Sequence, residues 1–185
     1  SFSFLPPGTV RDLRRALTYC RRSYPNFTLT RVQYADVFGL TPLDSAEQFN
    51  VLDKDGKGVV STLEVFGGLL VVVKGKAREK LSLAFMTFDL TGHGFATLSR
   101  YEVISMMTTS MRGACRIKRL PVISQGIFEG MADDLFKTLH AGPYDEINSE
   151  AFADWFRGDL MRVGAIDTSF ENLAKLGDVV SRQQR

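Results

Sequence analysis

The sequence predicts an all-α protein made of two pairs of helix–loop–helix units, with a short β bridge joining the loops of each pair. Three observations carry this. Apolar residues recur at helical spacing in separate segments along the chain. Two segments between them, Asp53 to Glu64 and Asp89 to Arg100, share a loop pattern with Asp first and Gly sixth. Ser or Thr residues followed three places later by Asp or Gln mark helix starts.

The elements follow in order. Thr9-Val10-Arg11-Asp12 opens a helix with Val10, Leu13, Leu17 and Cys20 on one face. Thr30-Arg31-Val32-Gln33 is a capping box for a second helix that ends near Phe38 and Gly39. Placing Leu29 at the eighth loop position gives a vestigial loop, Arg22 to Gln33, without ligand carboxylates and with Pro25 inside it. Thr41-Pro42 pairs a cap with Pro at the first helical position, and Ala46, Phe49 and Leu52 make the stripe that follows.

After the Asp53 loop, Leu63, Phe66, Leu70 and Val73 mark an exiting helix that Gly67 and Gly68 weaken. Leu81, Ala84, Phe85 and Phe88 precede the Asp89 loop; Tyr101, Ile104, Met107 and Met111 follow it. The stretch from Met111 to Ser124 breaks the period and reads as a linker. A helix with Ile127, Phe128, Met131, Leu135, Phe136 and Leu139 leads to a fourth loop, His140 to Ala151, with Ile147 eighth and Phe152, Trp155 and Phe156 beyond. Phe170, Leu173, Leu176 and Val180 suggest a last helix that packs across a groove. The expected organisation is one pair over 9–74, a second over 75–165 and a terminal helix over 166–185.

The Asp53 loop reads D-K-D-G-K-G-V-V-S-T-L-E, a donor set for a hard, oxygen-seeking cation. Asp53 and Asp55 supply carboxylates at positions 1 and 3, and Gly58 at position 6 allows the sharp turn. Val59 offers its carbonyl, Ser61 its hydroxyl directly or through water, and Glu64 both oxygens of its carboxylate. Lys57 stands where a fifth-position oxygen is usual; its backbone or a water would replace that oxygen, with the ammonium displaced outward. Two readings stay open. Asp53, Asp55, Lys57, Val59, Ser61 and Glu64 form one calcium site, or the loop is kept for its turn and bridge with the metal lost. Three carboxylates and one ammonium leave two net negative charges, so binding should be weaker than in a complete loop. Magnesium, which demands strict octahedral geometry, is the weaker alternative. In the Asp89 loop, Arg100 replaces the twelfth-position Glu and occupies the cation's place, while Glu102 falls on another helix face.

Four units in two pairs, with a longer gap before the fourth, resemble the neuronal calcium sensor, calcineurin-B-like and calaxin-type branch of the EF-hand superfamily. Gly75, Glu79-Lys80-Leu81, Ala84-Phe85 and Phe88-Asp89 carry the resemblance, which covers about residues 9–165. It implies a calmodulin-like interaction protein, not an enzyme, that holds an amphipathic partner helix in a hydrophobic groove, in some members opened by calcium. The N-terminal myristoyl group of many members is not carried over, because the chain has Phe2 and no Met-Gly start.

The remaining features are weighed against plain structural roles. Met106, Met107 and Met111 are the best groove candidates, with helix core the ordinary alternative. Arg11, Arg14, Arg15, Arg21 and Arg22 make a basic face for an acidic partner or simply a solvated one. The composition, 44% hydrophobic and 24% charged with a net charge of +2, is that of a globular chain and points to no nucleic-acid or membrane partner. Cys20 and Cys115 form no disulfide or zinc pattern, which favours an intracellular, reduced setting; the resemblance implies a cytoplasmic or cytoskeletal one. No nucleophile elbow, phosphate loop or HExxH motif is present. The Ser-Phe-Ser-Phe start is read as a fragment or a processed product. Two further functions therefore stand beside the sensor: a calcium-independent subunit of a cytoskeletal or axonemal assembly, and a regulatory domain of a larger enzyme.

Overall fold

A computed structural model describes residues 8–90, 92 and 97–163, the last five as backbone alone. The terminal helix expected over 166–185 lies outside the described residues. Eight helices are described: α1 (Val10–Ser23), α2 (Arg31–Phe38), α3 (Pro42–Leu52), α4 (Thr62–Val72), α5 (Ala77–Phe88), α6 (Arg100–Lys118), α7 (Gln125–Thr138) and α8 (Ser149–Val163). Four short strands separate them pairwise: β1 (Thr28–Thr30), β2 (Val59–Ser61), β3 (Thr97–Ser99) and β4 (Glu146–Asn148). β1 pairs antiparallel with β2 and β3 with β4, centred on Leu29 opposite Val60 and Leu98 opposite Ile147. All four central side chains are buried. The chain is thus an all-α protein of paired helix–loop–helix units with short β bridges.

The helix starts follow from their caps. The Thr9 hydroxyl accepts from the Asp12 amide, and Thr41 accepts from Asp44 ahead of Pro42. Gly39 ends α2 in the left-handed conformation, φ 61°. Each exit helix also starts from its strand in one way. Thr30, Ser61, Ser99 and Asn148 follow the buried bridge residue and accept from the amide three places on, at Gln33, Glu64, Glu102 and Ala151.

That shared pattern corrects the register of the third loop. Counting forward from Asp89 puts Ala96 at the bridge position and Arg100 twelfth, but Leu98 pairs with Ile147 and Ser99 is the cap. Glu102 therefore stands where Glu64 stands, and the third loop is two residues longer than the second. Arg100 does not enter the loop: its Nε donates to Asp133 Oδ1 on α7 at 2.8 Å.

A second correction concerns α6. The supposed linker from Met111 continues as helix to Lys118 and ends at Arg119, φ 57°. Its buried face there is small, with Gly113, Ala114 and Cys115, so no large apolar period shows. Small residues are needed because α6 crosses α4 at backbone contact. A Cβ on Gly113 would lie 2.1 Å from the Glu64 carbonyl oxygen, and one on Gly68 2.5 Å from the Gly113 carbonyl carbon. Gly67 and Gly68, read as weak points, are the surface on which the two halves of the chain meet. Tyr101, placed on the apolar stripe, is 75% exposed.

Candidate functional site: a cation loop and an apolar groove

The Asp53 loop is bent by left-handed Gly56 and Gly58, φ 63° and 72°. Asp53 holds the bend. Its two oxygens accept from the Lys57 and Gly58 amides at 2.9 and 2.8 Å. The Lys57 ammonium is 70% exposed and lies 3.5 Å from Asp55. Val59 is in β2, and Ser61 is committed as the cap of α4.

Glu64 departs from the expected set. Its carboxylate is not gathered with Asp53 and Asp55, and no three acidic, His or Cys side chains converge among the described residues. Glu64 Oε1 instead lies 3.0 Å from Arg116 Nη1 on α6, with the two side chains 10% and 19% exposed. The contact lacks hydrogen-bond alignment, and Oε1 accepts no hydrogen bond among the described residues. Burial raises the Glu64 pKa, and the Arg116 and Arg112 guanidiniums offset that only in part. Arg116 Nη1 also donates to the Leu52 carbonyl at the end of α3, at 2.6 Å.

Calcium fits the donor set by chemistry: two carboxylates, a strand carbonyl, a hydroxyl and a nearby buried carboxylate short of a hydrogen bond. Lys57 and Arg116 are the opposing charges. Sequence reasoning found the first and missed the second, although Arg112 and Arg116 stand four apart and so share one helix face.

The third loop closes differently. Glu102, 2% exposed, accepts from the Leu90 amide through Oε1 and from the Ser99 amide through Oε2, both at 2.9 Å. Asp89 accepts from the Gly92 amide at 2.8 Å. The carboxylate thus ties the loop ends together by hydrogen bonds.

A groove of about 700 Å³ opens among α4 to α8. Leu70, Leu81, Phe128 and Phe156 line it with Met106, Met107, Met111 and Met131. Met106, Met107 and Met111 are nonetheless mostly covered; they serve core and groove together. Arg78 on α5 and Glu150 on α8 pair at the rim. Lys80 reaches the Val71 carbonyl, and burial lowers its pKa. Trp155 is core: it packs on Phe152 and donates to Asp134 at 2.9 Å. Met161 lies beyond the described side chains. The basic face of α1 is partly used internally, since Arg21 donates to the Met86 and Thr87 carbonyls.

Helix–loop–helix units bridged in pairs by short antiparallel strands define a protein of EF-hand architecture. No protein-family model matches the chain. Among curated relatives it is 28% identical to calcium-binding protein NCSA of Dictyostelium discoideum over 100 residues, 51% of this chain and 53% of that one. It is 32% identical to human calaxin over 107 residues, 58% and 46% of the two chains. Guanylyl cyclase-activating protein 1 of Lithobates pipiens matches at 23% identity over 167 residues, 87% of this chain and 76% of that one. The chain spans about half the length of the first two relatives. These are neuronal-calcium-sensor-type EF-hand proteins, and the chain resembles them at modest identity. No described helix is long and apolar enough to cross a membrane.

Proposed function

We propose that this chain is a non-enzymatic EF-hand module that holds an amphipathic helix of a partner protein in the groove among α4 to α8. It takes at most one calcium ion, at Asp53, Asp55, Lys57, Val59, Ser61 and Glu64, with Lys57 contributing its backbone or yielding to water. The pairs over 9–74 and 75–165 act as one unit in the cytoplasm or on the cytoskeleton. The observation that carries the reading is the groove. Its floor is apolar, four methionines supply adaptable thioether walls, and its charged rim suits a helix with one polar face. The relatives support it, since one is named as calcium-binding and another as activating a cyclase.

The test is a calorimetric titration with calcium, then with amphipathic helical peptides in calcium and in chelator. The reading expects calcium heat that Asp53→Ala with Glu64→Ala abolishes, and peptide binding that Met107→Asp weakens. No calcium heat would remove the sensor half. Equal peptide affinity in calcium and chelator would favour the calcium-independent assembly subunit, which the Glu64–Arg116 pair also supports.

A further inference from the structure

We propose that Arg116 is a tethered cation that competes with calcium for Glu64, and so sets the affinity of the Asp53–Glu64 loop. The inference rests on reading that loop as a calcium site.

The comparison among the hands carries it. Three exit helices have a Gln or Glu as the third helical residue, behind a Ser or Thr cap. In two of them the side chain turns back on the cap: Gln33 Oε1 accepts from the Thr30 amide at 2.8 Å, and Glu102 Oε2 from the Ser99 amide at 2.9 Å. Glu64 has the same place and the same cap, yet makes no such return. It faces Arg116 at 3.0 Å, nearly buried and without an aligned hydrogen bond. A carboxylate that forgoes its local cap for an unaligned guanidinium is held there by charge.

Arg116 is also placed to hold both ends of the loop. It contacts Glu64 at the last position of the loop and donates to Leu52 just before the first. Arg112, one turn earlier on α6, adds its charge to the same carboxylate. Calcium bound at a twelfth-position Glu needs both oxygens at about 2.3–2.6 Å. A guanidinium and a divalent ion sharing one largely buried carboxylate would repel each other strongly. Calcium binding therefore requires Glu64 to leave Arg116. The swing falls to the side chain, because the Glu64 carbonyl is packed closely against Gly113 of α6.

The experiment is calcium calorimetry on the full chain and on Arg116→Met and Arg116→Lys, with helicity checked by circular dichroism. Arg116→Met should bind calcium about tenfold tighter or more; Arg116→Lys, which keeps the charge, should stay near the original. A second signature separates competition from mere support. Arg116→Met should lower the Tm in chelator, and calcium should restore more of the Tm for this variant than for the original chain. Equal affinities for the original chain and Arg116→Met would overturn the proposal and leave the calcium site standing. No heat from either would overturn both. Should Arg116→Met fail to fold, the Arg116 side-chain NMR signal of the original chain, assigned with Arg116→Lys, decides: it should shift on calcium addition, and a static signal overturns the proposal.

Discussion

Single side chains decide most of the chemistry. Asp53 is a ligand candidate that already works as a structural residue, closing the loop through the Lys57 and Gly58 amides. Asp53→Ala should therefore cost about 1 kcal/mol of stability even in chelator, measured by urea unfolding. Asp36 offers a pH test away from the loop. The Tyr24 and Tyr19 hydroxyls each donate to it at 2.7 Å, which lowers its pKa below the ordinary carboxylate value. A lowered folded pKa means stability that is present above the ordinary value and lost as pH falls through the lowered one. Asp36→Asn should flatten that part of an acid-unfolding curve. The same contact pushes Tyr24 up to about 12, so its tyrosinate absorbance should appear late, and earlier in Asp36→Asn. At this scale the sequence was legible where a residue's role is local, as with the caps. Arg116 was not legible, because its partner Glu64 lies far away along the chain and no periodicity links them.

Elements were legible by their ends more than by their stripes. Thr9, Thr30 and Thr41 each start the helix their spacing predicts. The third loop misled because Asp89 and Gly94 set a twelve-residue count when read from the front, whereas β pairing sets its register from the back. Glu102 should matter for the same reason. Glu102→Ala would leave the Leu90 and Ser99 amides without that carboxylate and should cost about 2 kcal/mol, read in the same unfolding assay. The length of α6 was hidden because its buried face narrows to Gly113 and Ala114. Gly113→Ala gives a sharp test. Helix propensity favours the change by about 1 kcal/mol. The added Cβ would meet the Glu64 carbonyl oxygen at 2.1 Å, backbone against backbone, with no rotamer to escape into. Overpacking of that kind costs about 3 kcal/mol, so a clear net drop in stability is expected.

Across the whole molecule, the loop and the groove share one helix. Arg116 sits near the end of α6, while Met106, Met107 and Met111 on the same helix line the groove. A peptide that enters the groove should change the emission of Trp155, which packs on the groove residue Phe152; an unchanged spectrum at saturation would place the peptide elsewhere. The overall architecture was legible because four repeats of one unit reinforce each other. The fusion of the two pairs was not, because it depends on glycines that carry no apolar signal.

The shared cap at Thr30, Ser61, Ser99 and Asn148 has one more consequence. Each hand begins its second helix with a hydrogen bond that no ion supplies. Ligand residues are thereby released from the duty of keeping the chain folded. A loop without a single carboxylate, as the first is between Arg22 and Gln33, can then still start its helix and keep its place in the scaffold.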